Sequence, residues 1–258
     1  MSLKRGRLAE WLWAPIVAIQ FLTRIPIRGV PDWAYEDGAS RGKSFAFYPA
    51  VGVIVGTIGA GIASLCCWLH LPSMAGAVLA VVSMAMVTGA LHEDGLADVA
   101  DGLGPHNRDD ALKAMRDSRI GSFGTIAIWA LLTLKVVAIG SMQPGSLFKA
   151  IIAAHVLSRW SSLPLSLALP YAQSTPGLGA KMAAALSVKF VLLATVLTAA
   201  LVLATLSPMA AVRCGLITGA LTLLTGLFYR NKFGGITGDC LGATNQIVEA
   251  AVLFAAIL

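Results

Sequence analysis

Apolar runs of about twenty residues recur along this chain, at 45–69, 74–91, 123–141, 147–169, 188–206, 209–228 and 241–258, separated by short polar or glycine- and proline-bearing breaks. At about 1.5 Å of helical rise per residue such a run spans the hydrocarbon of a bilayer, and only helices and closed barrels satisfy their backbone there. The expected fold is all-α: a polytopic integral membrane helical bundle with six to seven transmembrane helices. Hydrophobic residues make up 57% of the 258 and charged residues 12%, which excludes an ordinary soluble domain. One integral domain over 1–258 is expected, with no length left for a second.

The first segment, 8–27, differs from the others. It has Trp11 and Trp13 near one end and Pro15 inside, which suits an interfacial or re-entrant helix in an N-terminal arm over 1–44. Its polar remainder, 28–44, reads as a loop facing water. The last run is interrupted by Gln246 and Glu249 and is the least regular span.

Counting basic residues orients the bundle. Alternating sides through the seven runs places fifteen of the nineteen lysines and arginines on one side, which the positive-inside rule makes cytoplasmic. The net charge of +6 therefore serves membrane orientation, and no nucleic acid partner is expected. Cys66, Cys67, Cys214 and Cys240 have no metal-binding spacing.

Against this apolar background the stretch HEDGLADVADGLG (92–104) holds four of the thirteen carboxylates within nine residues. At about 100° per residue, Asp94, Asp98 and Asp101 fall within roughly 60° on one helix face. Three like charges so close raise one another's pKa unless a cation neutralises them, so the spacing suggests a magnesium-type site, with a solvated acidic loop as the alternative. A surface helix is expected to follow, completing a cytoplasmic motif region at 92–122.

Other loops on the same side supply phosphate-binding chemistry. MRDSRIG (115–121) sets Asp117 between Arg116 and Arg119, whose guanidinium groups suit phosphoryl oxygens. YRNKFGGITGD (229–239) offers Arg230, the close-approach glycines Gly234 and Gly235, and Asp239. Lys135 and Arg159 lie inside spans, where a charge must face a polar interior or find a partner. His92 and His155 are the histidines nearest these features. The combination describes a metal-dependent phosphoryl-transfer site in which one uncoordinated carboxylate accepts a hydroxyl proton. The catalytic candidates are Asp94, Asp98, Asp101, Asp117 and Asp239, the first three also as metal ligands. The substrate-binding candidates are His92, Arg116, Arg119, Lys135, Arg159, Arg230, Gly234 and Gly235.

FLTRIP (21–26), FYPAVGVIVG (47–56), HEDGLADVADGLG, MRDSRIGSFG (115–124) and GGITGDCLGA (234–243) resemble, in order and over nearly the whole chain, the adenosylcobinamide-GDP ribazoletransferase or cobalamin synthase family. The resemblance implies an inner-membrane enzyme that uses Mg2+ and joins adenosylcobinamide-GDP to α-ribazole or its 5′-phosphate, with attack by the 5′-hydroxyl and release of GMP. It also implies contact with membrane lipid, and a homo-oligomer or a complex with other cobalamin-pathway enzymes is an accompanying expectation. The family's acidic motif falls on Asp94, Asp98 and Asp101, its MRDSR motif on Arg116, Asp117 and Arg119, and its last glycine loop on Asp239. One departure is YAQSTPGLG (171–179), where Gln173 and Ser174 stand in place of a basic and an acidic residue. The alternatives are a CDP-alcohol-type membrane phosphotransferase and a cation or corrinoid transporter.

Overall fold

The structure is a computed structural model that describes residues 7–36, 38–172 and 184–257. Among these residues the chain is helical, save for one parallel bridge between Tyr171 and Ile236. The arm comprises α1 (Arg7–Leu22), α2 (Trp33–Glu36) and α3 (Gly38–Ser44), which runs through a short 3-10 turn into α4 (Tyr48–Trp68). The segment expected as a water-facing loop is thus largely helical. Its Lys43 is buried because Glu10 of α1 neutralises it, and its ammonium also lies 5.5 Å from the Trp11 ring centroid.

A sharp break follows α5 (Ser73–Thr88). Gly89 and Ala90 both take left-handed backbone angles, and α6 (Leu91–Asp101) leaves at 90° to α5. The FLTRIP segment packs on this break: the Arg24 amide donates to the Val87 carbonyl at 2.7 Å, and its side chain fills the space a Cβ would need at Gly89. We read α6, with its four acids, as a helix at the membrane surface. The surface helix beyond it, α7 (Arg108–Ala114), is shorter than expected; Asn107 caps it by accepting from the Asp110 amide at 2.8 Å. Then come α8 (Ser122–Gly140), α9 (Pro144–Ala168), α10 (Val188–Thr205), α11 (Pro208–Phe233) and α12 (Gly238–Ala255). The loop with Gln173 and Ser174 lies outside the described residues beyond 172.

Among the described residues four helices are long and apolar enough to cross a membrane: Ser40–Trp68, α8, α10 and α11, or five if α5 and α6 count as one broken span. The protein is a multi-pass membrane helical bundle, and the six to seven spans expected compare with four to five apolar ones among the described residues. The difference lies in α9 and α12. These two form helices where expected, but they carry Arg159 and Glu249 and sit inside the bundle, α9 against α4, α10, α11 and α12. Neighbouring helices shield them, so they have no need of an apolar surface. Those neighbours bear it instead, with Trp129, Val196, Leu216 and Leu223 exposed. Glycine sets the closest of these approaches: a Cβ on Gly56 of α4 would lie 2.8 Å from the Ile152 Cα of α9.

Candidate active site

The site begins where α6 crosses the start of α12. A Cβ on Gly95 would lie 2.9 Å from the Asp239 carbonyl oxygen, so only glycine lets the two backbones meet. The contact brings the acids of α6 beside Asp239. Thr237 caps α12, its hydroxyl accepting from the Cys240 amide at 3.3 Å and lying 3.1 Å from Asp239 Oδ2. Asp239 therefore stands in the first turn, where a helix dipole favours a carboxylate.

A cavity of about 270 Å³ opens at this crossing. His92, Asp94, Arg159, Asp239 and Asn245 contribute to its polar lining, so four of the candidates read from sequence meet on one space. Asp98 stands nearby, half-buried. Its burial, together with the charges of Asp239, Asp94 and Asp101, pushes its carboxyl up to about 7. Among the described residues no three His, Cys, Asp or Glu side chains form a ready metal cage. Magnesium needs none, since it commonly takes one or two carboxylates and completes its shell with water and substrate phosphate. The oxygen donors Asp94 and Asp98 fit that pattern, with Asp239 beside them.

Asp101 shares α6 with Asp94 and Asp98, as its spacing demands, yet its carboxylate is engaged elsewhere. Oδ2 accepts from the Gly121 amide at 2.7 Å and Oδ1 from the Gly124 amide at 2.8 Å, capping the N-terminus of α8. This bond pair ties the end of α6 to the end of the MRDSRIG turn. In that turn Arg119 grips Asp117 with two bonds, Nη2 to Oδ2 at 2.8 Å and Nε to Oδ1 at 3.1 Å, while Arg116 Nε donates to the Leu112 carbonyl at 3.0 Å. All three residues are exposed, and hydrogen bonds from Arg119 hold the Asp117 carboxyl down to about 2.

The glycine loop has a structural explanation. Gly234 ends α11 in a left-handed conformation against the Arg108 guanidinium, and a Cβ on Gly235 would run into the Pro170 carbonyl. Its neighbour Ile236 exchanges backbone hydrogen bonds with the 170–172 segment, at 2.9 and 2.8 Å. Arg230 is exposed and stands outside the cavity lining.

Beneath the cavity lies a buried polar network that sequence reading found only in part. Glu249 takes Lys135 Nζ at 2.6 Å on one oxygen and Arg159 Nη1 at 3.0 Å on the other, with His155 Nδ1 at 3.3 Å. Gln246 joins Lys135 to Glu93, donating to the latter at 3.1 Å. Two cations and two carboxylates thus balance inside the bundle. Lys135 is therefore satisfied away from the cavity, whereas Arg159 belongs to both. The interruptions of the last apolar run by Gln246 and Glu249 were the signal for these partners.

A profile described as cobalamin-5-phosphate synthase matches residues 14–257. A relative from Sinorhizobium medicae is 38% identical, the match covering 93% of this chain and 94% of its own length. One from Shewanella frigidimarina is 36% identical over 90% and 89%, and one from Chlorobaculum tepidum 32% over 94% of each. All three are named adenosylcobinamide-GDP ribazoletransferase. No solved structure matches the chain. With similarity running through every helix that builds the cavity, the chain belongs to the cobalamin-5-phosphate synthase family.

Proposed function

We propose that the phosphoryl transfer of this family takes place at the cavity between α6, α9 and α12. By family the chain is a membrane transferase of cobalamin synthesis. The names of its relatives point to adenosylcobinamide-GDP as donor and ribazole as acceptor. The observation that carries the assignment is the meeting of Asp94, Asp239, His92 and Arg159 on one cavity, with Asp98 beside them.

In this reading Asp94 and Asp98 hold magnesium, which would neutralise the donor diphosphate when bound, and Asp239 stays outside its shell. Arg116 and Arg119, on the turn that Asp101 ties to α6, bind phosphoryl oxygens, and Arg159 and His92 contact substrate from the cavity wall. Asp101 orders that turn, and Asp117 holds Arg119 in place. Lys135 acts through Glu249. An acceptor hydroxyl oxygen bonds to the cobinamide-side phosphorus as the bond to the GMP oxygen breaks, and the carboxylate left outside the metal shell takes the proton. The family description names a 5-phosphate product. An acceptor that keeps its 5′-phosphate has no free 5′-hydroxyl, so we assign the attack to a secondary ribose hydroxyl instead of the 5′-hydroxyl expected from sequence.

The one-sided lysines and arginines support an inner-membrane location with this face towards the cytoplasm, where nucleotides are available. The test is direct. Purified protein given adenosylcobinamide-GDP, α-ribazole and magnesium is expected to release GMP, and a folded preparation that releases none overturns the reading.

A further inference from the structure

We infer that this cavity seats the heteroaromatic base of the acceptor, an inference that rests on the proposed reaction and names which substrate fills which space. Its walls are of two kinds. Beside the acids of α6 and α12, α1, the 3-10 turn before α4 and the first residue of α4 bring an aromatic cluster. Phe21 stacks with Tyr48 at a centroid distance of 6.1 Å, and Phe45 lies tilted on the same ring at 4.9 Å. Leu22, Leu91 and Leu241 complete the apolar lining.

Size and polarity separate the three ring systems of the reaction. A corrin macrocycle with its amide side chains does not fit in about 270 Å³. Guanine presents an unbroken row of donors and acceptors along its edge, each costly to bury without a partner; Asp94, Ser162, Ser166, Asp239 and Asn245 offer such partners, but the wall of Phe21, Leu22, Phe45, Leu91 and Leu241 offers none. The base of ribazole is a dimethylated benzimidazole: two fused rings, two methyl groups and a single free ring nitrogen. It suits an aromatic and leucine wall with few polar groups.

Polar groups are present as well. Asp94, Ser162, Ser166, Asp239 and Asn245 line the same space and can meet the ring nitrogen and ribose oxygens of a nucleoside. Tyr48 Oη, His92 Nδ1 and Arg159 Nε, which have no hydrogen-bond partner among the described residues, are closed off from it. Asp94 and Asp239 line the same space, so a base held by the aromatic cluster brings its ribose to the reacting phosphorus.

The experiment measures equilibrium binding of α-ribazole alone, and of adenosylcobinamide-GDP alone, to the full-length protein in detergent. Phe45→Ala is expected to weaken α-ribazole at least tenfold and leave the donor within twofold. Phe45→Leu, which keeps more of the packing, is expected to shift α-ribazole affinity in the same direction. Benzimidazole riboside, lacking both methyl groups, is expected to bind the wild type about tenfold more weakly than α-ribazole. Failure of the wild type to bind α-ribazole, or variants that weaken the donor instead, overturns the inference. Intact, Phe45-dependent α-ribazole binding without GMP release would strike the proposed reaction and leave the base pocket standing.

Discussion

Arg159 Nη1 lies 3.0 Å from Glu249 Oε2 where α9 meets α12, with both side chains almost wholly buried. The same glutamate holds Lys135 at 2.6 Å, so one carboxylate bridges two interior cations. Its removal leaves Arg159 uncompensated away from water and Lys135 with Glu93 alone, at 3.7 Å. Glu249→Ala is expected to cost about 3–5 kcal/mol of stability. Thermal unfolding in detergent checks this, and an unchanged midpoint would show that the network carries no structural weight.

Asp101 is expected to act by ordering the MRDSRIG turn. Asp101→Ala removes the acceptor for two backbone amides, Gly121 and Gly124. Hydrogen exchange at those amides should accelerate strongly, by about tenfold or more, since charge-assisted bonds of this kind contribute about 1.5–3 kcal/mol each. Unchanged protection at Gly121 and Gly124 would contradict the assignment.

Magnesium binding is expected to depend on pH through Asp98. With its carboxyl up to about 7, Asp98 is mostly protonated at pH 6 and must lose that proton to meet a cation. Apparent magnesium affinity should therefore rise with pH, up to about tenfold per unit below 7, and level off above about 8. Asp98→Asn should abolish the slope. Titration calorimetry at several pH values measures it, and a flat profile in the wild type would contradict the electrostatic reading.

The Asp117 and Arg119 pair is exposed, which separates function from stability. Arg119→Ala is expected to leave thermal unfolding unchanged and to raise the KM for adenosylcobinamide-GDP about tenfold, because a solvated pair adds little to folding while a guanidinium adds much to phosphate binding. Asp117, held down to about 2, stays ionised at working pH and contributes no inflection to the rate profile. A stability loss with unchanged KM would reverse the assignment.

The fold was legible wherever a segment's own chemistry decided it. Apolar runs located the helices, and the acids of 92–104 share one helix because helical geometry requires it. What escaped was set by distant partners. The 90° break at Gly89 and Ala90 lies between two helices whose residues run on in sequence without a proline, and Arg24, more than sixty positions earlier, packs against it. Lys43 reads as a loop charge until Glu10 is found beside it. Lys135 and Arg159 signalled a polar interior, but their acid partner sits 90 positions beyond Arg159. Asp101 has the right face and a different occupation, because the amides at the start of α8 claim its oxygens.

The central claim is that the carboxylates at the crossing of α6 and α12 carry the transfer. The rate of GMP release by Asp94→Asn, at saturating adenosylcobinamide-GDP, α-ribazole and magnesium and at membrane levels equal to wild type, tests it most directly. The account predicts a fall of at least about a hundredfold. A rate within about threefold of wild type would contradict it.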